Sequence, residues 1–257
     1  MSNPVLKKIT ESGRGFAEMA DGYSNESGTS ITSAVNPPRS VDIDGVIVKT
    51  TGIAFLSMMA AFIGWNLAVA IMFIYPLLFF TSLILGVITA FKPLLAGFTA
   101  PLYALTSGLW IGTISYSFNL QYPGIVKDAL LGTGVVFLTM LFLYRSKIVK
   151  VTAKLRSTVI AATMGIFIYY LLSYITGLIT GNSLPLINSN SYLGILFTAA
   201  ICLLAAYNFL LDFDNIEKAI ANKIDSRYEW ALSFGLLVTF VWLYIEILRL
   251  LSKLRSR

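Results

Sequence analysis

Carboxylates are the side chains best placed to do chemistry in this chain, because histidine is absent and cysteine occurs once, at Cys202. These counts exclude histidine-ligated metals, a Ser-His-Asp triad, an intrachain disulfide and a cysteine-rich metal site. Six of the thirteen acidic residues lie among the first 45 residues. The other seven are Asp128, Asp212, Asp214, Glu217, Asp225, Glu229 and Glu246.

Asp212 is the strongest candidate of the seven. On a helix, Ala205, Asn208 and Asp212 share one face, since spacings of three and four residues return to the same side. Small and polar groups that lead to a carboxylate are typical of a wet cavity, in which Asn208 lines the approach and Asp212 binds calcium transiently through oxygen. A solvated helix end explains the same residues equally well. Asp214 lies about 200° around the helix, so it cannot pair with Asp212 on a regular helix.

Glu246 lies inside the last apolar segment. An ionised acid at mid-bilayer costs about 2.5–3.5 kcal/mol on insertion scales, which makes it a functional candidate. Glu246 lies about 7–8 Å from the end of its segment, where it can pair with Arg249 one turn further on. A structural Glu246–Arg249 pair and a role in an ion pathway both remain open.

Small residues recur at every fourth position of a third apolar segment, at Ala96, Ala100, Ala104, Gly108 and Gly112. Such a seam lets two helices approach closely in lipid. We therefore predict a tight helix-packing face centred on Ala104, Gly108 and Gly112. The pattern does not distinguish packing within the chain from packing between chains.

Membrane-spanning helices are the elements that must position these residues. Of the 257 residues 56% are apolar and 12% charged, the mean hydropathy is +0.76, and soluble domains carry about 25% charged residues. Uncharged stretches of 42 residues after Lys49 and of 55 residues after Arg156 can each hold two spans of about 20 residues. The composition predicts an all-α, multi-pass integral membrane protein in contact with the lipid bilayer.

Seven apolar segments are predicted within a transmembrane domain at 46–251, between a disordered polar tail at 1–45 and a basic tail at 252–257. The first two segments divide at Trp65 and Asn66, which leaves Pro76 inside the second helix. The segments are 46–68, 70–91, 95–118, 125–144, 158–179, 192–213 and 230–251.

The basic residues predict the orientation. With the N-terminus in the cytoplasm, 14 of the 19 lysines and arginines fall on the cytoplasmic side, as the positive-inside rule requires. The net charge of +6 is explained in this way, and no nucleic-acid partner is expected. The C-terminal basic residues disagree, because seven crossings place Arg249, Lys253, Arg255 and Arg257 outside. Either the rule fails there, or the last segment enters the membrane and returns without crossing.

Four stretches of this sequence resemble the Bax inhibitor family of membrane proteins, in particular its bacterial branch with a long polar N-terminal tail. They are DGVIVKTTG at 44–52, YPGIV at 122–126, LLDFDNI at 210–216 and WLYIEILRLL at 242–251. The resemblance implies six helices around a central seventh. It also implies a pH-sensitive calcium leak in the plasma membrane, gated by two aspartates near the cytoplasmic ends of helices six and seven.

Asp212 matches the first of these two aspartates. Leu237 stands where the second is expected, so the resemblance leaves the family's two-aspartate gate incomplete here. The substitute partners are Asp214, Asp225, Glu229 and Glu246. Glu246 can reach Asp212 only if the last segment is re-entrant, since a full crossing puts it about 22 Å from the cytoplasmic face.

We expect a cation leak pathway in which Asp212 is the gating carboxylate, with no cofactor and with calcium as the permeant ion. The alternative is an interaction protein that modulates a membrane protease or another membrane complex without transport of its own. A small-solute or proton-coupled transporter comes third. An enzyme is not expected, because the Walker A, GxSxG and HExxH motifs are absent. The sequence leaves the oligomeric state open.

Overall fold

The computed structural model describes residues 39–181 and 189–256 and places nearly all of them in helices. The α-helices of these residues are α1 (Ile43–Asn66), α2 (Ala68–Ile71), α3 (Tyr75–Phe91), α4 (Ala96–Gln121), α5 (Ile125–Arg145), α6 (Ala153–Thr180), α7 (Tyr192–Ala221) and α8 (Glu229–Arg255). Short 3₁₀ turns at Pro93–Leu95 and Ser226–Tyr228 precede α4 and α8. The predicted all-α fold is confirmed.

Six helical stretches of the described residues are long and apolar enough to cross a membrane, and they correspond to α1, α4, α5, α6 as far as Gly177, α7 and α8. The remaining predicted segment, the second, corresponds to α3, an apolar helix of 17 residues at the lower limit of a bilayer span. The seven predicted segments therefore correspond to seven apolar helices, with α2 as a single turn between α1 and α3.

The C-terminal helix α8 lies at the centre of the bundle. It packs against α1, α4, α5 and α7, and half of its apolar span is buried, the largest share among the six. Its 27 residues form one continuous helix of about 40 Å. The alternative of a re-entrant last segment is therefore wrong.

Two predictions about helix bounds are also wrong. The first helix ends at Asn66 as expected. Pro76, however, lies in the first turn of α3 and not in the helix interior. In the first turn the missing N–H of proline costs no helical hydrogen bond. Helix α6 begins at Ala153 instead of 158, because the Thr152 side chain caps it by accepting from the Leu155 N–H.

Helix α7 continues eight residues, about 12 Å, beyond the predicted end at Phe213. Phe213, Ile216 and Ala219 remain buried on one side, so an amphipathic stretch extends the helix where the uniformly apolar run stops. Asp212 is consequently an interior residue of α7. The interpretation of Asp212 as a solvated helix end is wrong.

The predicted tails differ from the structure where it describes them. Positions 43–45 form the first turn of α1, which Asp42 caps at its N-terminus. The predicted tail up to residue 38 lies outside the described residues. Positions 252–255 belong to α8 rather than to a separate basic tail.

The small-residue seam packs within the chain, against α1. All five of its residues are buried. A Cβ atom built at Gly108 would lie 2.3 Å from the Ser57 carbonyl oxygen, and one at Gly112 would lie 2.0 Å from that of Ala61. The contact is reciprocal, because a Cβ atom at Gly64 would lie 2.2 Å from the Leu109 carbonyl oxygen. The predicted packing face is confirmed, and its partner helix is α1.

We call one end of the bundle the basic end. Helices α1 and α8 begin there, and α7 ends there. A hydrogen bond of 2.7 Å from the Val41 N–H to the Ile224 carbonyl oxygen joins the segment before α1 to the α7–α8 connection. Its helix turns and loops carry Lys92, Arg145, Lys147, Lys150, Lys154, Arg156, Lys218, Lys223 and Arg227. The opposite end holds the α4–α5 connection, the start of α7 and the end of α8.

Candidate functional site

Asp212 faces the central helix α8 from α7. Its Oδ2 accepts a hydrogen bond of 2.6 Å from the Thr239 hydroxyl. Its Oδ1 lies 3.4 Å from the place where a side chain at Gly235 would begin, so the glycine leaves room for the carboxylate. Thr239 is ten residues, about 15 Å, past the start of α8. The partly buried Asp212 carboxylate therefore lies well inside the bundle.

Asp212 differs from the other described helix acids that are buried or half-buried in lacking a cationic partner. Asp214, Glu229 and Glu246 each form an ion pair with a lysine or arginine. No basic side chain among the described residues pairs with Asp212. The Thr239 hydroxyl supplies a hydrogen bond but no compensating charge, so Asp212 keeps the capacity to bind a cation or a proton.

Asn208 lies one turn before Asp212 and points toward α6. Its amide nitrogen donates to the Thr163 hydroxyl at 3.0 Å and to the Leu204 carbonyl oxygen at 2.9 Å. Asn208 thus links α7 to α6, whereas Asp212 links α7 to α8. The two residues share one helix, but their side chains bind different neighbours.

Asp214 points away from Asp212, as the helical angle predicts. It accepts from Arg156 at the start of α6 and from Lys218 one turn on, at 2.6 Å from the latter. Asp214 therefore fastens α6 to α7 at the basic end and is already neutralised there. This arrangement does not bring it to Asp212.

Glu246 forms the predicted pair with Arg249, at 3.4 Å. The buried carboxylate also accepts from the Tyr170 hydroxyl on α6 at 2.8 Å, and Arg249 donates to the same hydroxyl oxygen at 2.7 Å. Glu246 lies seven residues, about 10 Å, beyond Thr239 along α8. The expected Glu246–Arg249 pair is present, with Tyr170 as an unpredicted third member.

Leu237 occupies a different surface of α8 from Thr239. It is buried with Ile53 of α1 and Ala100 and Ala104 of α4. The position expected for a second aspartate thus belongs to the apolar core between three helices. The group that faces Asp212 from α8 is the Thr239 hydroxyl.

Glu229 anchors α1 to the start of α8. Its buried carboxylate pairs with Lys49 and accepts from the Asp42 N–H at 3.1 Å. A Cβ atom at Gly45 would lie 2.3 Å from Glu229 Oε2, so this glycine admits the carboxylate. The Lys49 amine also lies 5.6 Å from the centre of the Trp230 ring. Glu229 is therefore engaged at the bundle end and is not a partner of Asp212.

Asp225 lies half-buried in the connection before α8 and binds Arg227 through both carboxylate oxygens, at 3.1 and 2.9 Å. Hydrogen bonds from the Arg227 side chain lower the pKa of the Asp225 carboxyl below its ordinary value. This local pair removes the last of the four substitute partners from the neighbourhood of Asp212.

Two of the C-terminal basic residues, Lys253 and Arg255, are bound within the molecule at the opposite end, whereas Arg257 lies outside the described residues. Lys253 donates to the Gly194 carbonyl oxygen at 3.1 Å and to the Thr198 hydroxyl at 2.9 Å. Arg255 donates to the Pro123 carbonyl oxygen at 3.0 Å and pairs with Asp128. Such residues hold helix ends together, which explains why their charge does not follow the loop pattern.

Groups of three or more histidine, cysteine or acidic side chains that could hold a metal ion are absent from the described part of the chain. A resident calcium cage is therefore not found there. The arrangement around Asp212 offers one carboxylate and one hydroxyl, which suits the brief contact that a permeating ion or a proton makes.

Sequence reasoning missed Thr239, Tyr170 and the Lys49–Glu229 pair. These contacts join helices that are far apart in the sequence, and their register depends on how the helices pack. The one available signal was Gly235, four residues before Thr239, because a small residue on a buried helix often marks a close approach.

Comparison with known proteins gives one family. The family model described as Bax inhibitor 1 like matches residues 3–256. No curated protein and no solved structure matches the chain.

Proposed function

The chain belongs to the Bax inhibitor 1 like family of membrane proteins, and on that premise we propose that it forms a pH-sensitive leak pathway for cations, calcium above all, in the plasma membrane. Asp212 is the gating carboxylate, and Asn208 lines the approach. Calcium is the expected ion because hard divalent cations prefer oxygen ligands, which Asp212 and Thr239 supply.

The observation that carries the proposal is that Asp212 accepts a hydrogen bond from Thr239 but has no lysine or arginine partner among the described residues. A carboxylate inside a membrane bundle is costly unless a base neutralises it. Among the described residues, a lysine or arginine pairs with each of Asp214, Glu229 and Glu246, whereas Asp212 has only the Thr239 hydroxyl. A protein retains such a costly charge where the charge serves a function. Reversible binding of a cation or a proton is one such function.

The gate works through the contact between α7 and α8. Ionised Asp212 accepts from Thr239 and attracts a cation, whereas protonated Asp212 becomes a donor itself and loses its charge. This change of protonation alters how α7 and α8 pack at Gly235, which places no side chain between the two helices. Because the second aspartate is replaced by Leu237, the response follows one proton and not a coupled pair.

The basic end faces the cytoplasm in this proposal. It carries the lysines and arginines of the α5–α6 and α7–α8 connections, and the positive-inside rule puts such loops there. Helix α1 begins at this end, so the N-terminus is cytoplasmic. The C-terminus, at the other end of the continuous α8, is then outside.

The rival proposal, an interaction protein, drew its sequence support from the small-residue seam and from the polar tail, which up to residue 38 lies outside the described residues. That seam is occupied by α1, so it offers no free face to a membrane protease or another partner. We therefore keep the leak pathway as the proposed function.

Calcium flux into proteoliposomes at neutral pH tests the proposal. Wild type should conduct, and Asp212→Asn should change the flux, since it removes the charge at nearly constant volume. Asp225→Asn is the matched control, because it makes the same substitution in an ion pair at the basic end, away from Asp212. Unfolding temperatures check that all three proteins are folded. Equal flux in wild type and Asp212→Asn would remove Asp212 from the gate.

A further inference from the structure

A cleft of about 900 Å³ lies between α1 and α5 at the basic end. Buried or half-buried side chains of α7 and α8, among them Phe213, Leu236 and Phe240, form its inner wall. Its volume falls in the range of cavities that hold small-molecule ligands. It is separate from Asp212, which is not among the lining residues.

The cleft is apolar and long. Along α1 it extends from Ile43 to Met58, about 22 Å at the rise of an α-helix. This length exceeds the depth of one hydrocarbon leaflet, about 15 Å. The outer edge carries Ile47, Phe55 and Met58, each more than half exposed. In a membrane protein such an edge faces acyl chains, so the cleft opens sideways into the bilayer.

The mouth of the cleft is basic. Arg145 ends α5, and Lys147 and Lys150 lie in the connection that follows. All three are exposed, and none of their side chains forms a hydrogen bond or ion pair with another described residue. The acids of the lining have partners of their own, because Asp214 is bound by two basic side chains and Glu217 accepts from Tyr144.

Thr50 supplies a further polar group on the α1 side of the cleft. Its hydroxyl oxygen is buried and has no hydrogen-bond partner among the described residues. A buried hydroxyl without a partner is costly. An acceptor located in the cleft, such as an ester carbonyl oxygen, would satisfy it.

We propose that this cleft binds one anionic phospholipid from the cytoplasmic leaflet. An acyl chain lies between α1 and α5 against Phe240, and the Thr50 hydroxyl donates to an ester carbonyl. The phosphate lies at the mouth against Arg145, Lys147 and Lys150. Charge complementarity favours an anionic over a zwitterionic headgroup, and the sideways opening favours a lipid over a soluble phosphate.

Native mass spectrometry of the full-length protein tests the proposal after incubation with mixed phosphatidylglycerol and phosphatidylcholine. Wild type should retain one phosphatidylglycerol in preference to phosphatidylcholine. Each basic side chain near a membrane surface is worth about fivefold in affinity for anionic lipid. The triple variant Arg145→Gln, Lys147→Gln, Lys150→Gln should therefore lose on the order of 100-fold in that preference.

The matched control is Lys92→Gln, Lys154→Gln, Lys223→Gln. It removes three charges from the same end but outside the cleft, and each triple contains one residue with a positive φ, 55° at Lys147 and 50° at Lys223. The control should retain phosphatidylglycerol as wild type does. Thr51→Trp, which adds bulk at an exposed position of the lining, should reduce retention of both lipids. Equal loss in the two triples, or no preference in wild type, overturns the proposal, and neither result depends on calcium flux.

Discussion

A single methyl group added at Gly112 should separate α1 from α4. A Cβ atom there would lie 2.0 Å from the Ala61 carbonyl oxygen and 2.8 Å from the Trp65 nitrogen. Ordinary contact begins at 3.4 Å, so the helices would have to part by roughly 1.4 Å, and both obstructing atoms belong to a helix backbone that cannot rotate away. Overpacking of this kind costs about 1–3 kcal/mol.

The cost should appear as a lower unfolding temperature in detergent for Gly112→Ala. About 2 kcal/mol corresponds to roughly 4–8 °C for a domain of this size. Gly134→Ala is the matched control, because a Cβ atom built at Gly134 in α5 meets no other group within 4 Å. Replacing a helical glycine by alanine in open space gains up to about 1 kcal/mol, so the control should unfold at the wild-type temperature or slightly above. If the two variants unfold at the same temperature, the close α1–α4 contact is wrong.

Two further predictions concern α8. Glu246→Ala should lower the free energy of unfolding by about 3 kcal/mol, because it leaves Arg249 without its carboxylate. The double variant Glu246→Leu, Arg249→Met should recover most of this loss. Equal unfolding temperatures for the single and double variants would contradict the pair. In a Cys202→Ser background, the Ser256→Cys variant should react with an impermeant thiol reagent added outside cells. The Lys150→Cys variant should not react. Labelling of both positions from the same side would contradict the continuous crossing of α8.

The helices and their tight seam could be predicted because both depend on local periodicity. Apolar runs of about 20 residues have few alternatives to a spanning helix. Small residues at every fourth position mark a face whatever helix covers it. The identity of α1 as the partner was not predictable, since Ser57, Ala60 and Gly64 form a shorter and less regular series on that helix.

The environment of Asp212 was only partly predictable. Its helix continues past Phe213 because no glycine or proline ends it, and the apolar positions change from a continuous run to one face. Asp214 on another side follows from helical geometry and agrees with the structure. The contact with Thr239 depends on the register between α7 and α8, which no local pattern encodes. Lys49 and Glu229 meet for the same tertiary reason, 180 residues apart.

The pH profile of calcium flux through proteoliposomes tests the role of Asp212 most directly. Wild-type flux should change between acidic and mildly alkaline buffer along a curve that fits one titrating proton. Asp212→Asn should give a flux that is independent of pH across the same range, because the asparagine amide does not titrate there. A variant that follows the wild-type profile would contradict the account, since some other group would then control the pathway.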